Sequence, residues 1–231
     1  MAAGAAWERL VFWWSSYQPS GPDEWIADAS WSREELLGER ARGIEPVGVV
    51  LHTPRWAARE GGDPAVSPPH NLELPYDDPS NYWGRFMARL AAEYAGVIDT
   101  WIVWNEPEFC WTGTVEEYAQ LQRVAYLAVK AANPNATVIL TGTTYWQDHE
   151  KGRPLFLARL LDELAKDPPA GAGEPTDAPE ATATPDLAPY PAPDDLAPTL
   201  TPTPTIAERH GYYFDAVAVH QYGSPLNSYT V

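Results

Sequence analysis

Positive charge is scarce in this chain. Its 15 Lys and Arg residues face 32 Asp and Glu residues, which gives a formal net charge of −17 at pH 7. Nucleic-acid binding needs clustered basic side chains, so the composition argues against a nucleic-acid partner. It equally disfavours anionic membrane surfaces and polyanionic glycans. Cysteine is almost absent: the single Cys110 excludes a disulfide within the chain and leaves the compartment open.

Several other signals are missing. No apolar run approaches the roughly 18 residues that a transmembrane helix needs. Residues 1–4 lack a basic segment and a long apolar core, so we expect no secretory signal, and a cytoplasmic or a truncated secreted protein both stay open. The five histidines show no zinc-type spacing, and neither a glycine-rich phosphate loop nor a Gly-x-Ser-x-Gly motif occurs. We therefore expect no metal and no cofactor.

Aromatic residues are abundant, with 11 Trp and 12 Tyr in 231 residues. They fit either a large core or a site that stacks the flat faces of sugar rings. Strand and helix patterns alternate along the chain, which predicts a parallel sheet with helical crossovers. The predicted strands lie at about 10–14, 46–51, 100–104, 137–142 and 215–220.

Capping patterns place the helices between these strands. Ser32 stands three residues before Glu35, the capping-box arrangement, and Gly43 is the C-cap of the same helix. A second helix is expected to begin at Thr114 and to end at about Ala132. We expect Ser80 to cap another helix, and a further helix near 154–165. Residues 53–80 are predicted to form a long, proline-rich loop, and loops of this length in a compact domain are usually functional.

Residues 167–205 differ from the rest. They hold 11 of the 24 prolines and seven acidic residues without any Lys or Arg. Such a stretch cannot bury enough apolar surface to offset its ordering entropy, so we predict a disordered insertion. An O-glycosylated stalk and an interdomain linker are the alternatives. Residues 1–166 and 206–231 then form one domain.

The most informative stretch is residues 101–108. Four apolar residues, predicted to form a buried strand, lead into the polar pair Asn105 and Glu106, followed by Pro107. Proline favours an extended conformation in the preceding residue, so we expect Glu106 to continue the strand. A carboxylate at the carboxyl end of a barrel strand is where catalytic groups lie in a (β/α)8 fold. For Glu108 we expect an exposed loop residue, and a second carboxylate of the site is the alternative.

This stretch resembles the acid/base motif Asn-Glu-Pro of the clan A retaining glycoside hydrolases, which include family-five cellulases and family-thirty-nine β-xylosidases. Residues 10–19, 46–57 and 214–222 resemble, in order, the second, third and sixth strands of that clan, and the last carries its His-x-Tyr pattern. The resemblance covers nearly the whole chain outside 167–205. It implies an incomplete (β/α)8 TIM barrel, with about strands 2–6 present.

The resemblance also implies roles. Glu106 would be the general acid/base, and Asn105 would hydrogen-bond the sugar 2-hydroxyl. His220 would contact substrate or the acid/base, and Tyr222 the nucleophile, although ordinary structural hydrogen bonds are the alternative for this pair. His52, just after the third strand, is a further substrate-binding candidate.

Four tryptophans fall at or just past predicted strand ends: Trp14, Trp56, Trp111 and Trp146. Sugar-stacking platforms are one interpretation, and packing of the loops after the strands is the other. We expect about two of the four to touch substrate.

The first, seventh and eighth strands have no candidates, and the clan's nucleophile would lie beyond Val231. We expect a fragment or a barrel completed by a second polypeptide; a complete smaller α/β fold is the alternative. The resemblance implies hydrolysis of a neutral β-linked glycan or glycoside with retention, and, because half of the carboxylate pair is missing, little activity in this chain by itself. A catalytically inactive carbohydrate-binding fragment and an unfolded gene fragment are the rival hypotheses.

Overall fold

The computed structural model describes residues 5–166, 168 and 206–220. Its strands are β1 Trp7–Trp13, β2 Glu45–Leu51, β3 Thr100–Val103, β4 Thr137–Thr143 and β5 Ala216–Val219. Its α-helices are α1 Trp14–Tyr17, α2 Arg33–Ala41, α3 Tyr82–Glu93, α4 Pro107–Cys110, α5 Val115–Ala132, α6 Trp146–Glu150, α7 Phe156–Leu164 and α8 Ile206–Arg209. Short 3-10 helices span Pro64–Val66 and Gly211–Tyr213.

The five strands form one parallel sheet in the order β1-β2-β3-β4-β5. Each strand therefore pairs with the next one along the chain, and the helical crossovers lie between them. Sequential parallel strands joined by helices are the arrangement of a (β/α)8 barrel. The described part of the chain is a partial TIM barrel, and the five strand predictions are confirmed.

The helix-facing side of the sheet carries an aromatic core. Along β1, Leu10 and Phe12 are buried while their neighbours are more exposed, as the two-residue period of a strand requires. Phe12 packs edge-on against Trp101 of β3 and against Tyr94 at the end of α3. Arg9, Val11 and Trp13 of β1 lie on the opposite face, the inner face of the barrel.

Most helix boundaries follow the predicted caps. The capping boxes at Ser32 and Thr114 are both present, and Gly43 follows α2 at a φ of 81°. The prediction of Ser80 as a cap is wrong: Asn81 caps α3, because its side-chain oxygen accepts a hydrogen bond from the backbone of Gly84. Asparagine is at least as good an N-cap as serine, and Asn81 is fully buried there.

Two predictions lie outside the described residues. The insertion at 167–205, apart from residue 168, is one of them, and Tyr222 is the other. Both stay predictions.

Candidate active site

The carboxyl ends of the strands gather the chemically active side chains at one edge of the sheet. His52 follows β2, Asn105 and Glu106 follow β3, and His220 follows β5. The backbone N–H of His220 donates to the carbonyl of Thr143 at 2.9 Å, which fixes the end of β5 against β4. These four residues therefore lie at the same edge of the sheet, which is called the rim below.

Glu106 and His220 are in direct contact at this rim. Nδ1 of His220 lies 2.6 Å from Oε1 of Glu106, and each side chain is 19% exposed. The two residues are 114 positions apart in the chain. The backbone N–H of Glu106 also donates to the carbonyl of Gly142 in β4, at 2.9 Å. Both partners are thus held by the end of β4.

Gly142 leaves the space that this contact occupies. A Cβ atom placed on Gly142 would come within 2.2 Å of Nε2 of His220 and within 2.7 Å of two ring carbons. Any larger residue would displace the imidazole from its place over the strand. No local sequence pattern indicates that this position needs glycine, because the requirement comes from His220, which follows another strand.

The backbone at Glu106 is not extended, and the expectation that it continues the strand is wrong. Its φ and ψ are 42° and 60°, in the left-handed region, and β3 already ends at Val103. Trp104 also has a positive φ, 67°. Non-glycine residues in this region cost about 1–3 kcal/mol each and persist where the surroundings over-determine them.

Long-range contacts hold Trp104 and Glu106 in this left-handed conformation. The indole N–H of Trp104 donates to the carbonyl of Cys110 at 2.7 Å, and its ring packs edge-on against Trp111. The buried hydroxyl of Tyr118 donates to the carbonyl of Val103 at 2.8 Å. Burial raises the pKa of Tyr118, so this donor keeps its proton. Together with the Glu106–Gly142 bond, these contacts outweigh the local preference that Pro107 imposes.

Asn105 lies beside Glu106 and receives a hydrogen bond from β1. Nη2 of Arg9 donates to Oδ1 of Asn105 at 2.6 Å. The sequence offered no signal for this partner, because Arg9 stands 96 positions away and in no motif.

Glu108 is half-buried, which corrects the expectation of an exposed loop residue. It lies in α4, and its Oε1 accepts a hydrogen bond from the backbone N–H of Thr144. Glu108 therefore ties α4 to the segment after β4. This bond engages its carboxylate in holding the rim together.

His52 has an unusual backbone and an aromatic neighbour. Its φ is 71°, and its ring centroid lies 4.2 Å from that of Trp13 at the end of β1. Burial lowers the pKa of His52, with a smaller opposing effect from Asp63. The ring is consequently neutral near pH 7, when it can both donate and accept a hydrogen bond.

The four predicted tryptophans differ in how far they are buried. Trp14 and Trp111 are buried; Trp14 packs against Trp83 and Phe86, so for this pair the structure matches the packing alternative. Trp56 is half-buried and donates from its indole to the carbonyl of Gln18. Trp146, in contrast, is 41% exposed, and its ring centroid is 5.3 Å from that of Phe109.

Two exposed aromatic residues near the rim were not predicted. Trp13 and Phe109 are 37% and 40% exposed, and each contacts a predicted residue, His52 and Trp146 respectively. The neighbouring Trp13 and Trp14 could not be distinguished by pattern, since the strand ends between them. The helix that starts at Trp14 turns that side chain into the core and leaves Trp13 on the inner face.

Residues 5–166, 168 and 206–220 contain no group of three or more His, Cys, Asp or Glu side chains that could hold a metal ion. Among the helices described, none combines the length and the apolar character needed to cross a membrane. A cavity of about 600 Å³ lies between the start of α5 and α7, on the helical side, and Glu108 and Trp111 are part of its lining.

Several solved structures are similar to this chain, and they are glycoside hydrolases. A family 39 glycoside hydrolase from Bacteroides cellulosilyticus WH2 is 21% identical over 68% of this chain and 30% of its own, with a TM-score of 0.48. The GH30 xylanase C catalytic domain of Talaromyces cellulolyticus is 16% identical over 68% of this chain and 40% of its own, with a TM-score of 0.45. The GH53 catalytic domain of Ignisphaera aggregans is 16% identical over 71% of this chain and 47% of its own, with a TM-score of 0.40.

The chain spans less than half the length of each of these three proteins. No protein-family profile and no curated protein matches it. The TM-scores are below 0.5, so the fold assignment given above rests on the strand order and register of the chain itself.

Proposed function

We propose that this chain carries the acid/base half of a retaining glycoside hydrolase site, with Glu106 as the general acid/base. The observation that supports this most is the contact between Glu106 and His220 at the carboxyl edge of a parallel sheet. Catalytic groups of (β/α)8 enzymes lie at this edge. The left-handed backbone at Glu106 also supports the proposal, because backbone strain of this kind concentrates at functional sites.

The contact suits a group that must gain and lose a proton. A protonated Glu106 donates to Nδ1 of a neutral His220, while an ionised Glu106 accepts from a protonated Nδ1. The imidazole therefore holds the carboxyl group in place in both states. Glycoside hydrolysis requires both, since the acid first protonates the leaving oxygen and the resulting base then activates water.

Retention also requires a nucleophilic carboxylate roughly 5–5.5 Å from the acid/base. Glu108 is a poor candidate, because its Oε1 accepts from the backbone of Thr144 and its Oε2 is buried. We assign the nucleophile to a residue outside those that the structure describes, as the resemblance implies. Tyr222, also outside them, would contact it.

The substrate we propose is a neutral β-linked glycan or glycoside. Two aromatic pairs, Trp13 with the half-buried His52 and the exposed Phe109 with Trp146, follow strand ends on either side of β3 and offer apolar ring faces for sugars. The net charge of −17 disfavours polyanionic glycans. Asn105 would hydrogen-bond the 2-hydroxyl.

The same aromatic pairs also favour a second candidate, a carbohydrate-binding fragment without catalysis. Catalytic turnover distinguishes the hydrolase from the carbohydrate-binding fragment. We would assay the 231-residue chain, and the longest translation product that contains it, on 4-nitrophenyl β-glycosides of several neutral sugars, following the anomeric product by NMR. Release of the β-anomer first supports the proposal. Release of the α-anomer contradicts retention, and binding without turnover in both proteins favours the second candidate.

A further inference from the structure

A second cavity lies between the segment 53–80, the first half of α5 and the end of α7. Its volume is about 620 Å³, which is in the range of small-molecule sites. The buried side chains of Pro69 and Leu72 give it an apolar wall. The side-chain amide of Gln120 donates to the carbonyl of Leu72 at 2.9 Å and so joins this wall to α5. None of the candidate catalytic residues at the rim lines this cavity.

Arg123 of α5 brings a buried positive charge to the cavity. It is 5% exposed, and its Nη2 donates to the carbonyls of Glu163 and Lys166 at the end of α7, at 2.5 and 3.1 Å. Within the described part of the chain, its Nε is buried without an acceptor and no carboxylate forms an ion pair with it. Burial lowers the pKa of Arg123, against smaller effects of Tyr213 and Glu163, but a guanidinium stays protonated in proteins. Buried charges are normally paired, so Arg123 lacks a counter-ion.

The other Arg and Lys side chains of the cavity already have carboxylate partners. Nη2 of Arg59 lies 2.5 Å from Oε1 of Glu117, and Nζ of Lys166 contacts the carboxylate of Glu163. An anion that enters the cavity therefore finds its unpaired cation at Arg123.

The lining favours a single carboxylate over a sugar or a phosphate. Among the described residues that line the cavity there is no Trp, Tyr or Phe, so a sugar ring has no stacking platform. Glu73 and Glu116 also line it and are exposed, and their charges repel a doubly charged phosphate more than a carboxylate. The planar guanidinium of Arg123 matches the geometry of a carboxylate.

We propose that this cavity is a binding site for a small molecule that carries one carboxylate on an apolar body. The carboxylate accepts hydrogen bonds from the guanidinium of Arg123, and the apolar body lies against Pro69 and Leu72. The site is separate from the proposed glycosidase centre and does not depend on it.

The test is a titration of the 231-residue chain with benzoate, benzamide and inorganic phosphate, followed by calorimetry and by the guanidinium Nε–Hε signals in ¹H–¹⁵N NMR. Benzamide has the shape of benzoate without its charge. Arg123→Lys assigns the signal of Arg123, because that signal disappears in the variant. We expect benzoate to bind saturably and to shift this signal, and benzamide to bind on the order of tenfold more weakly, because hydrogen bonds between charged groups are the stronger ones.

Three variants locate the site. Arg123→Met should weaken benzoate roughly ten- to hundredfold, and Arg123→Lys should retain part of the affinity. Glu73→Gln removes an exposed negative charge, so it should strengthen benzoate roughly twofold at low ionic strength and leave benzamide unchanged. Arg42→Met is the matched control and should change nothing, because the side chain of Arg42 is 70% exposed and follows α2.

Thermal unfolding shows whether Arg123→Met keeps its fold, since the carbonyls at the end of α7 lose their donor in this variant. A folded Arg123→Met variant with wild-type affinity for benzoate would overturn the inference. If the variant unfolds, the wild-type signal of Arg123 decides: no saturable shift with benzoate, or an equal shift with benzamide, would leave water as the partner of the guanidinium. Tighter binding of phosphate than of benzoate would overturn the assignment to a carboxylate.

Discussion

Replacing Gly142 with alanine should separate Glu106 from His220 without changing either residue. The φ of Gly142 lies outside the left-handed region, so an alanine is not strained by its own backbone. Its Cβ, however, would lie 2.2 Å from Nε2 of His220, whereas ordinary contact begins at 3.4 Å. The ring must therefore retreat by about 1.2 Å, which breaks a contact now 2.6 Å long.

The size of the effect follows from that displacement. Overpacking of this kind costs about 1–3 kcal/mol in the free energy of unfolding. A displacement of about 1 Å in a catalytic group costs on the order of 10²-fold in turnover. Urea unfolding measures the first quantity. The second is measured as kcat on an aryl β-glycoside with a poor leaving group, in the longest translation product that contains the chain. The ¹⁵N shifts of His220 report directly on the loss of its partner.

Gly38→Ala is the control for this experiment. The Cβ it adds meets its nearest atom at 3.9 Å inside α2, so it should stabilise the protein by about 0.5–1 kcal/mol and leave turnover unchanged. The reasoning is refuted if Gly142→Ala retains wild-type unfolding energy, wild-type His220 shifts and wild-type turnover.

Three further predictions concern the surroundings of the site. Burial, and then the carboxylates of Glu106 and Glu108, raise the pKa of Cys110, so alkylation of this thiol by iodoacetamide at pH 8 should be slow. Glu106→Gln should accelerate the alkylation, because it increases the thiolate fraction. An unchanged rate would place Glu106 away from the thiol. Tyr118→Phe should lower the free energy of unfolding by about 1–3 kcal/mol, because the carbonyl of Val103 loses its buried donor; urea unfolding checks this, and a neutral effect contradicts the role given to that bond. Asn81→Ala should cost about 1 kcal/mol in unfolding energy through the lost helix cap, whereas an equal cost for Ser80→Ala would reassign the cap.

The fold could be predicted from sequence because its determinants are local. A buried apolar run ending in a polar pair identified β3, the Ser32 capping box located the start of α2, and the residues from Thr114 onward located the start of α5. The cap of α3 was displaced by one residue, since Ser80 and Asn81 are both good caps in sequence. Only the tertiary position of Asn81, buried against the carbonyl of Leu74, distinguishes them.

The site was predicted in part, for the same reason. The motif located Glu106 and Asn105, and strand order brought His220 to the same rim. The left-handed backbone of Glu106 could not be predicted, because it depends on a bond to Gly142 in another strand. Arg9 likewise acts through a contact with a residue far along the chain, and no local pattern indicates it.

The central claim, that Glu106 is the general acid/base, is tested most directly by the leaving-group dependence of Glu106→Ala. The measurement is kcat/KM for aryl β-glycosides of one sugar whose leaving groups range from activated dinitrophenol to phenol, in the longest translation product that contains the chain. Glu34→Ala, an exposed carboxylate in α2, is the control.

General acid help matters only for poor leaving groups, and it contributes roughly 10²–10⁴-fold. We therefore predict a loss of that order for the phenyl glycoside, little loss for the dinitrophenyl glycoside, and partial rescue by azide, which enters the vacated space and attacks the glycosyl-enzyme. An equal loss for good and poor leaving groups, with no effect of azide, would contradict the account and leave Glu106 with a structural role.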